Sequence, residues 1–233
     1  MGHFYYGLHF TENSWVFREW APNATRIFLI GTFSKWKEKQ EFRLERINSR
    51  GDWEIKLPSG SISHGDLFKL SVHWEGGRGE RIPSYATRVI QDDRTKIFSC
   101  QVWKPESEYA WEIENFTAPE TAPVIYEAHI GMATEEEKLG TYAEFTGNVL
   151  PLIIKSGYNT IQLMAIQEHP FYGSFGYHVA NFFAASSRFG TPEDLKVLVD
   201  KAHQAGIRVI MDLVHSHSVK NINEGLGMFD GTP

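Results

Sequence analysis

Apolar and polar residues alternate with a period of two along much of the first 105 residues, as expected for strands that bury one face. The clearest strand-like runs are residues 14–20, 26–31, 43–47, 53–57, 67–72 and 97–102. A turn-forming stretch, residues 48–52, separates two of these runs and predicts a hairpin. Short strands with turn signals at this spacing predict a β-sandwich over residues 1–105.

The pattern changes after residue 105. Residues 106–122 are acidic and proline-bounded, which predicts a linker lying along the surface. From residue 123 onward, strand-like segments alternate with helix-like segments, and the order βαβαβ predicts parallel strands joined by right-handed crossovers. The pattern by itself fits either a doubly wound sheet or part of a (β/α)₈ barrel. The third strand, residues 207–214, is almost continuously apolar, so we expect it to be covered on both faces.

Capping signals mark the start of two helices in this second half. Thr141 and Glu144 form a capping box, and Pro151 is expected to kink the helix that follows. The side chains predicted on the buried face of that helix are Phe145, Val149, Leu152 and Ile153. The second helix is predicted to begin after Thr191, which precedes a proline and two acidic residues, and to end at Gly206.

Composition narrows the classes of function. The formal net charge is −6 and no basic block occurs, which argues against nucleic acid as a partner. No apolar stretch is long enough for a bilayer, and the N-terminus lacks the pattern of a signal peptide, so no membrane association is expected. The single cysteine, Cys100, cannot form an intrachain disulfide, which fits a reducing, cytoplasmic setting.

Candidate chemistry lies where the predicted parallel strands end, because function gathers at carboxyl ends in such folds. The first strand end carries Glu127 and His129, and the second carries Glu168 and His169. The third carries Asp212, which interrupts an apolar strand where an unpaired carboxylate would be costly.

Several interpretations of these strand-end residues remain open on the residues alone. Asp212, His215 and His217 resemble a weak metal-binding pattern, although the spacing of a third ligand is undefined. Alternatively, Asp212 orients a histidine by a hydrogen bond without catalysis. Glu127, Glu168 and Asp212 could instead serve a hydrolase, since retaining enzymes place two carboxylates about 5–5.5 Å apart.

An aromatic loop follows the second strand, with glycines at positions 173 and 176 that favour a shaped loop over a helix. Its rings either pack over the mouth of a barrel or contact a ligand. We favour ligand contact for Tyr177, because a tyrosine at a strand end offers a flat face and a hydroxyl group.

Several segments of the chain resemble the glycogen (1,4-α-glucan) branching enzymes of the α-amylase superfamily. In the second half, the matching segments are residues 126–131, 163–169, 172–177, 182–192 and Asp212-Leu213-Val214-His215-Ser216-His217. In the first half, residues 19–24 and Gly31-Thr32-Phe33-Ser34-Lys35-Trp36 resemble the carbohydrate-binding module that precedes the barrel in these enzymes. The resemblance covers essentially the whole chain.

The resemblance implies a multidomain fold of class β plus α/β. An immunoglobulin-like β-sandwich over residues 1–105 is followed by the first βαβαβ portion of a TIM (β/α)₈ barrel over residues 123–233, so the barrel is incomplete. The family cleaves α-1,4-glucan and transfers the cleaved chain to a 6-hydroxyl group, by a retaining mechanism. An α-glucan is therefore the expected partner, and no cofactor is implied.

The resemblance also implies roles for particular residues. Tyr177, Asp212 and His217 match positions that line the subsite for the sugar before the scissile bond. Tyr177 would stack on that sugar, His217 would bind its 6-hydroxyl group, and Asp212 would orient the site. Ser216 stands where calcium-binding amylases have asparagine, so we expect no metal there. In the sandwich, Trp20 is expected in the core, whereas Trp36 either caps a turn or contacts glucan.

The family's nucleophilic aspartate and acid/base glutamate are expected beyond Pro233, so no catalytic residue is assigned within the chain. We expect the 233 residues alone to have no branching activity. The alternative is a non-catalytic glucan-binding protein, and the coding sequence after residue 233 would distinguish the two. Self-association of the 233 residues is also expected, because an edge strand without a neighbour recruits other chains.

Overall fold

The computed structural model describes all 233 residues. The chain divides into two compact units. The first contains residues 1–105, 179–184 and 217–233, and the second contains residues 106–178 and 185–216. Two segments that the sequence analysis placed in the barrel region, 179–184 and 217–233, therefore group with the sandwich.

The first unit is built from antiparallel strands in two sheets. Its strands are β1 (Gly7–Thr11), β2 (Ser14–Trp20), β3 (Ala24–Gly31), β4 (Glu45–Arg46), β5 (Asp52–Pro58), β6 (Leu67–Trp74), β7 (Gly77–Arg81), β8 (Val89–Gln91) and β9 (Phe98–Gln101). One sheet has the order β1-β2-β5-β4; the other has the order β3-β6-β9-β8, with β7 also paired to β6. The predicted sandwich and the predicted β4-β5 hairpin are confirmed. The sequence analysis missed β1, β7 and β8. In β7, two glycines and three charged residues show no apolar alternation.

Inward-facing residues of both sheets form one hydrophobic core. The core members on β2, β3, β5 and β6 are Trp15, Phe17, Ala24, Ile27, Leu29, Trp53, Ile55, Leu57, Phe68, Leu70 and Val72. Burying each of the larger side chains contributes roughly 1.5–3 kcal/mol. Cys100 lies in the same core, and burial raises the pKa of its thiol, as expected for a packing residue and not for a nucleophile.

The prediction that Trp20 belongs to the core is wrong. Side chains alternate along β2, and Glu19 takes the inward position, so Trp20 points outward and is 53% exposed. Its indole nitrogen donates a hydrogen bond to the carbonyl oxygen of Arg50 at 2.9 Å.

The inward position of Glu19 places a carboxyl group in the sandwich interior, where it is fully buried. It accepts hydrogen bonds from the backbone N–H of Trp20 and from the N–H and hydroxyl of Ser84. Burial raises the pKa of Glu19 from 4.5 to about 7, although these hydrogen bonds oppose the shift.

The C-terminal segment is held to the sandwich by hydrogen bonds. The Arg81 guanidinium donates to the carbonyl oxygens of Met228 at 2.8 Å and Phe229 at 3.1 Å. Asp230 Oδ2 accepts from the backbone N–H of Asn23 at 2.8 Å. These contacts explain why residues 217–233 belong to the first unit.

The second unit contains a parallel three-stranded sheet. Its strands, in spatial order, are β10 (Ile125–Ala128), β11 (Thr160–Leu163) and β14 (Arg208–Met211). Later along the chain come β12 (Gln167–Glu168), in the second unit, and β13 (Asn181–Ala185), of which residues 181–184 belong to the first unit. The helices are α1 (Tyr142–Glu144), α2 (Leu150–Lys155) and α3 (Pro192–Gln204).

In the chain as a whole, single 3₁₀ turns occur at Gly2–Phe4, Thr32–Ser34, Gln40–Phe42, Ser59–Ser61, Ile130–Met132, Tyr172–Ser174 and Ser187–Phe189. None of the helices has the length and apolar character that a membrane crossing requires.

The first predicted helix is present but interrupted. Its capping box forms as predicted, and a π-helical segment, Phe145–Val149, then separates α1 from α2 just before Pro151. The wider π turn shifts the helix face that meets the core. Leu150 is buried in consequence, whereas Leu152, predicted to be buried, is 60% exposed.

Helix α3 begins and ends as predicted, and it also holds the linker. Its Asp200 carboxylate is buried and accepts hydrogen bonds from the Tyr109 hydroxyl and from the backbone N–H groups of Glu112 and Ile113. Residues 106–122 contain no helix or strand, yet these three bonds fix their path.

The expectation that the third strand is covered on both faces is wrong. Ile210 is 36% exposed, and it lies in register with Gln162 and Glu127, so this face of the sheet is polar and open. Met211, on the edge strand β14, is 55% exposed.

The buried Glu19 carboxyl group should make the stability of the sandwich depend on pH. Between pH 4.5 and about 7 the native state binds the Glu19 proton more tightly than the unfolded chain does. The free energy of unfolding should therefore fall as pH rises through this window, by about 3 kcal/mol in total. In Glu19→Gln this contribution is absent. Urea unfolding followed by tryptophan fluorescence, at pH 4.5 and at pH 8, measures the free energy of unfolding of the parent chain and of Glu19→Gln.

Glu45→Gln is the matched control, since Glu45 is exposed on β4 of the same sandwich. It should keep the pH dependence of the parent chain. Identical pH dependence in Glu19→Gln and Glu45→Gln would contradict the prediction.

Candidate functional site

The parallel register brings the carboxyl ends of three strands to one edge of the sheet. Ala128, Leu163 and Met211 are aligned across β10, β11 and β14. The ladder continues one residue further, because Met164 N–H donates to the Ala128 carbonyl oxygen and Asp212 N–H donates to the Leu163 carbonyl oxygen, both at 2.9 Å. Asp212 is therefore held at this edge by its own backbone.

Tyr177 meets Asp212 at the same edge. The Tyr177 hydroxyl donates a hydrogen bond to Asp212 Oδ2 at 2.7 Å, and both side chains are half-buried. This bond, assisted by burial, raises the pKa of Tyr177 to about 12, so the hydroxyl stays protonated at neutral pH. The sequence-predicted pair is thus in direct contact and remains accessible to a ligand.

The loop between β12 and β13 aims Tyr177. Phe175 adopts a left-handed conformation, and Gly176 follows with φ of 86°. Gly176 lies so close to the Ala165 carbonyl oxygen that a side chain there would overlap it. The backbone therefore turns sharply just before Tyr177, as the glycine at position 176 indicated in the sequence.

His217, the third predicted residue, begins the C-terminal segment that groups with the sandwich. Its side chain is exposed, as are those of His215 and Ser216. No group of three or more His, Cys, Asp or Glu side chains is arranged to hold a metal ion.

Glu168 is a structural carboxylate, and this overturns the alternative that used it as a hydrolase residue. It is fully buried, and its Oε2 accepts hydrogen bonds from the Ser187 N–H at 2.8 Å and the Ser187 hydroxyl at 2.9 Å. Its Oε1 accepts from the His169 N–H at 3.0 Å and from the Arg188 guanidinium at 3.3 Å. Burial raises the pKa of Glu168 despite these bonds. Both oxygens are committed to the protein.

The two strand-end histidines are buried among aromatic rings. The His129 ring lies 5.5 Å from the Phe189 ring and 5.6 Å from the Phe175 ring, centroid to centroid. Burial lowers the pKa of His129, and it lowers the pKa of His169 to about 4. Both imidazoles are therefore neutral at neutral pH and support the loops by packing.

Gln167 contributes to the site in a way that the sequence did not indicate. Its side-chain oxygen accepts a hydrogen bond from the backbone N–H of Val214 at 3.2 Å, two residues after Asp212. Gln167 is buried, so this bond fixes the path of the chain that leaves Asp212. The only signal in the sequence was its position at the second strand end, directly before Glu168.

Trp36 lies in the sandwich unit, beside a groove with a volume of about 350 Å³. The residues that line this groove are Ile30, Trp36, Lys37, Glu38, Ser71, Arg78, Gly79 and Glu80. Trp36 is 41% exposed and adopts a left-handed backbone conformation, as does Lys35 before it. The ring is therefore presented by a tight turn and is not packed in the core.

Polar groups converge on the same groove. Glu38 Oε1 accepts a hydrogen bond from the Ser71 hydroxyl at 2.7 Å and lies 2.8 Å from His73 Nε2 and 3.5 Å from an Arg78 nitrogen. Burial alone would raise the pKa of Glu38, but the bonds from Ser71 and His73 outweigh it and lower the pKa. A flat ring beside fixed polar groups is an arrangement typical of small-ligand sites.

Comparison with known families defines the class of protein. Residues 5–89 match carbohydrate-binding module 48, the isoamylase N-terminal domain, and residues 138–224 match the α-amylase catalytic domain. The solved structure of a pullulanase from Bacillus acidopullulyticus superimposes with a TM-score of 0.72 at 20% identity, over 91% of this chain and 30% of that one. Residues 5–89 are therefore similar to a carbohydrate-binding-module sandwich and residues 138–224 to part of an α-amylase-type catalytic domain, and the predicted fold class is confirmed.

The inferred resemblance to branching enzymes is also confirmed. The chain is 46% identical to a 1,4-α-glucan-branching enzyme of Yarrowia lipolytica and 47% identical to one of Aspergillus oryzae, over 97% of its length in each case. It is 43% identical to one of Dictyostelium discoideum, over 99% of its length. The chain spans about a third of these curated relatives, since it covers 34% of each.

Glu168→Ala should strongly destabilise the second unit. The substitution leaves the Arg188 guanidinium and several buried N–H donors without their acceptor, which costs about 3–5 kcal/mol of unfolding free energy. Glu127→Ala is the matched control, because Glu127 is exposed and its side chain accepts a single hydrogen bond, from Gln162. The control should lose less than about 1 kcal/mol. If urea unfolding shows that Glu168→Ala and Glu127→Ala lose equally little free energy of unfolding, Glu168 is not a structural group.

Proposed function

We propose that these residues act in 1,4-α-glucan branching, as the part that binds glucan and shapes the subsite next to the scissile bond. The hydrogen bond between Tyr177 and Asp212, at the carboxyl edge of a parallel sheet, is the observation that carries this proposal. The similarity to 1,4-α-glucan-branching enzymes over nearly the whole chain supports the substrate class.

Each residue of the proposed subsite has a distinct role. The Tyr177 hydroxyl is occupied by Asp212, so the ring face is the part that remains for stacking on a sugar. Asp212 orients the tyrosine and binds sugar hydroxyl groups with its remaining acceptor capacity. His217, which belongs to the first unit, is proposed only on the resemblance to bind a sugar 6-hydroxyl group.

The sandwich is proposed to hold a second part of the glucan, in the Trp36 groove. Sugars have flat C–H faces and hydroxyl edges, so a ring that stacks and a carboxylate that accepts hydrogen bonds complement both. Trp36 supplies the ring, and Glu38, with Arg78 beside it, supplies the polar edge. The match of residues 5–89 to a carbohydrate-binding module supports this assignment.

The 233 residues alone are expected to form no α-1,6 linkages from amylose. The resemblance assigns neither carboxylate of the retaining pair to these residues, and Glu168, which is bound on both oxygens, cannot replace one of them. The measurement is a branching assay that counts new α-1,6 linkages after enzymatic debranching. Clear formation of such linkages would contradict the expectation.

The branching role itself is tested by substituting these residues for the matching third of the Yarrowia lipolytica relative. The chimaera is expected to branch amylose. In the chimaera, Tyr177→Ala should lower kcat/KM by about 10- to 100-fold through lost stacking, whereas Tyr177→Phe, which keeps the ring, should lose less. A chimaera that melts cooperatively but forms no branches would overturn the proposal.

The groove is tested on the 233-residue chain with maltoheptaose. The indole N–H signal of Trp36, assigned by its loss in Trp36→Phe, should shift in an NMR titration. Trp36→Ala should weaken binding at the groove by about tenfold. Trp111→Ala is the control, because Trp111 is similarly exposed, at 39%, but belongs to the second unit. An unmoved Trp36 signal at saturating sugar would exclude the groove as a site.

A further inference from the structure

The loop at residues 171–177, which carries Tyr177, makes few hydrogen bonds to the rest of the second unit. We call it the Tyr177 loop. The backbone N–H groups of Ser174, Phe175 and Tyr177 donate to carbonyl oxygens within the loop itself. The side-chain hydrogen bond that leaves the loop joins the Tyr177 hydroxyl to Asp212. Side-chain packing must therefore provide the remaining attachment of the loop.

That packing centres on His129, directly after β10. The His129 ring lies 5.6 Å from the Phe175 ring and 6.0 Å from the Tyr172 ring, centroid to centroid, with interplanar angles of 89° and 74°. The Phe189 ring, outside the loop, lies 5.5 Å from His129. A side-chain carbon at Gly131 would lie 2.7 Å from the Phe189 ring and 3.0 Å from the Tyr172 hydroxyl oxygen, so glycine there allows the close packing. His129 thus joins the loop to the body of the unit.

Both ring nitrogens of His129 are buried without a protein hydrogen-bond partner, and so are His169 Nε2 and the Tyr172 hydroxyl. His129 is 7% exposed and His169 is completely buried. A protonated imidazole carries a charge and donates from both nitrogens, so burying it unpaired costs far more than burying the neutral ring. The attraction of a cation to aromatic faces is smaller than that cost. The closed loop therefore disfavours protonation of His129.

The groups around His129 do not offer the missing acceptor. The titratable and charged side chains on the elements packed there are Tyr142, Glu168, His169, Tyr172 and Arg188. Both oxygens of Glu168 already accept hydrogen bonds from the protein. Arg188 adds a positive charge, which disfavours a second cation at His169. Protonation of Glu168 in acid cannot open the loop, because its raised pKa means that the folded state binds that proton more tightly.

Opening of the loop should consequently depend on pH. Burial lowers the pKa of His129, whereas an exposed histidine has a pKa near 6.5. The closed state binds fewer protons than the open state, so its stability is present above pH 6.5 and is lost as pH falls below that value. Between pH 7.5 and pH 5.0, one histidine that stays neutral in the closed state raises the ratio of open to closed loops by up to about 30-fold.

We propose that His129 is a positioning residue for Tyr177, and that protonation of His129 releases the Tyr177 loop and separates Tyr177 from Asp212. The neutral ring holds Tyr172 and Phe175 by packing, and the charged ring requires water that the closed loop excludes. The candidate site thus contains an acid-sensitive element of its own. The consequence for glucan rests on the proposed function, whereas the loop movement does not.

The test is hydrogen–deuterium exchange of the 233-residue chain at pH 7.5 and pH 5.0, corrected for the intrinsic pH dependence of amide exchange. In the parent chain, the protection of residues 171–177 should fall by about 10- to 30-fold at pH 5.0, while the protection of β11 is kept. His129→Phe keeps an apolar ring and cannot be protonated, so its loop should stay protected at both pH values. His178→Gln is the matched control, because His178 is exposed and directly follows the loop. It should respond to pH as the parent chain does.

Three results would overturn the proposal. They are an unchanged loop protection in the parent chain, an equal fall in the parent chain and in His129→Phe, and a simultaneous loss of protection in β11, which would mean that acid acts on the whole unit. If His129→Phe does not fold, an NMR titration of the His129 imidazole in the parent chain decides. A midpoint below pH 6.5 that coincides with the loss of loop protection supports the proposal, and any other midpoint overturns it. None of these measurements contains a sugar, so a failure of the proposed branching role leaves their outcome unchanged.

Discussion

The parallel register of β10, β11 and β14 is the constraint on which the candidate site depends. It places the last residues of three strands, which are distant in sequence, at one edge of a sheet. Asp212 continues the ladder through its own N–H, so its carboxylate is aimed by the backbone. Tyr177 then reaches it from a loop that Gly176 bends sharply. A one-residue slip of β14 would turn the side chain of Asp212 to the opposite face and remove the pair.

Buried carboxylates support this arrangement without taking part in it. Glu168 collects hydrogen bonds from the segment at residues 186–188, and Asp200 collects them from the linker. In the sandwich, Glu19 does the same for Ser84. Each of these acids ties a turn or an irregular segment to a strand or a helix. Because these carboxylates are buried, protein groups donate the hydrogen bonds that their oxygens accept. Their oxygens are therefore not available to a substrate, and their role is structural.

Much of the local structure was predictable because it depends on neighbouring residues. Period-two alternation identified most sandwich strands, and the capping residues Thr141 and Thr191 located the helix starts. The two misplaced side chains share one cause. Trp20 was assigned to the core by its apolar character, and Leu152 by helical spacing, but Glu19 and a π-helical segment shifted the faces that those residues present. Such shifts arise from contacts that local spacing does not encode.

The amino-acid sequence by itself determined the two architectures, the family resemblance and the candidates Tyr177 and Asp212, because strand periodicity, caps and motifs are local properties. Only the tertiary structure decided that the Tyr177 hydroxyl bonds to Asp212, that Glu168 is sequestered and that Gln167 holds the chain after Asp212. It alone brought Phe183 beside Tyr85, residues almost a hundred positions apart. The physical reason is that hydrogen-bond partners and burial depend on which distant segments the fold brings together.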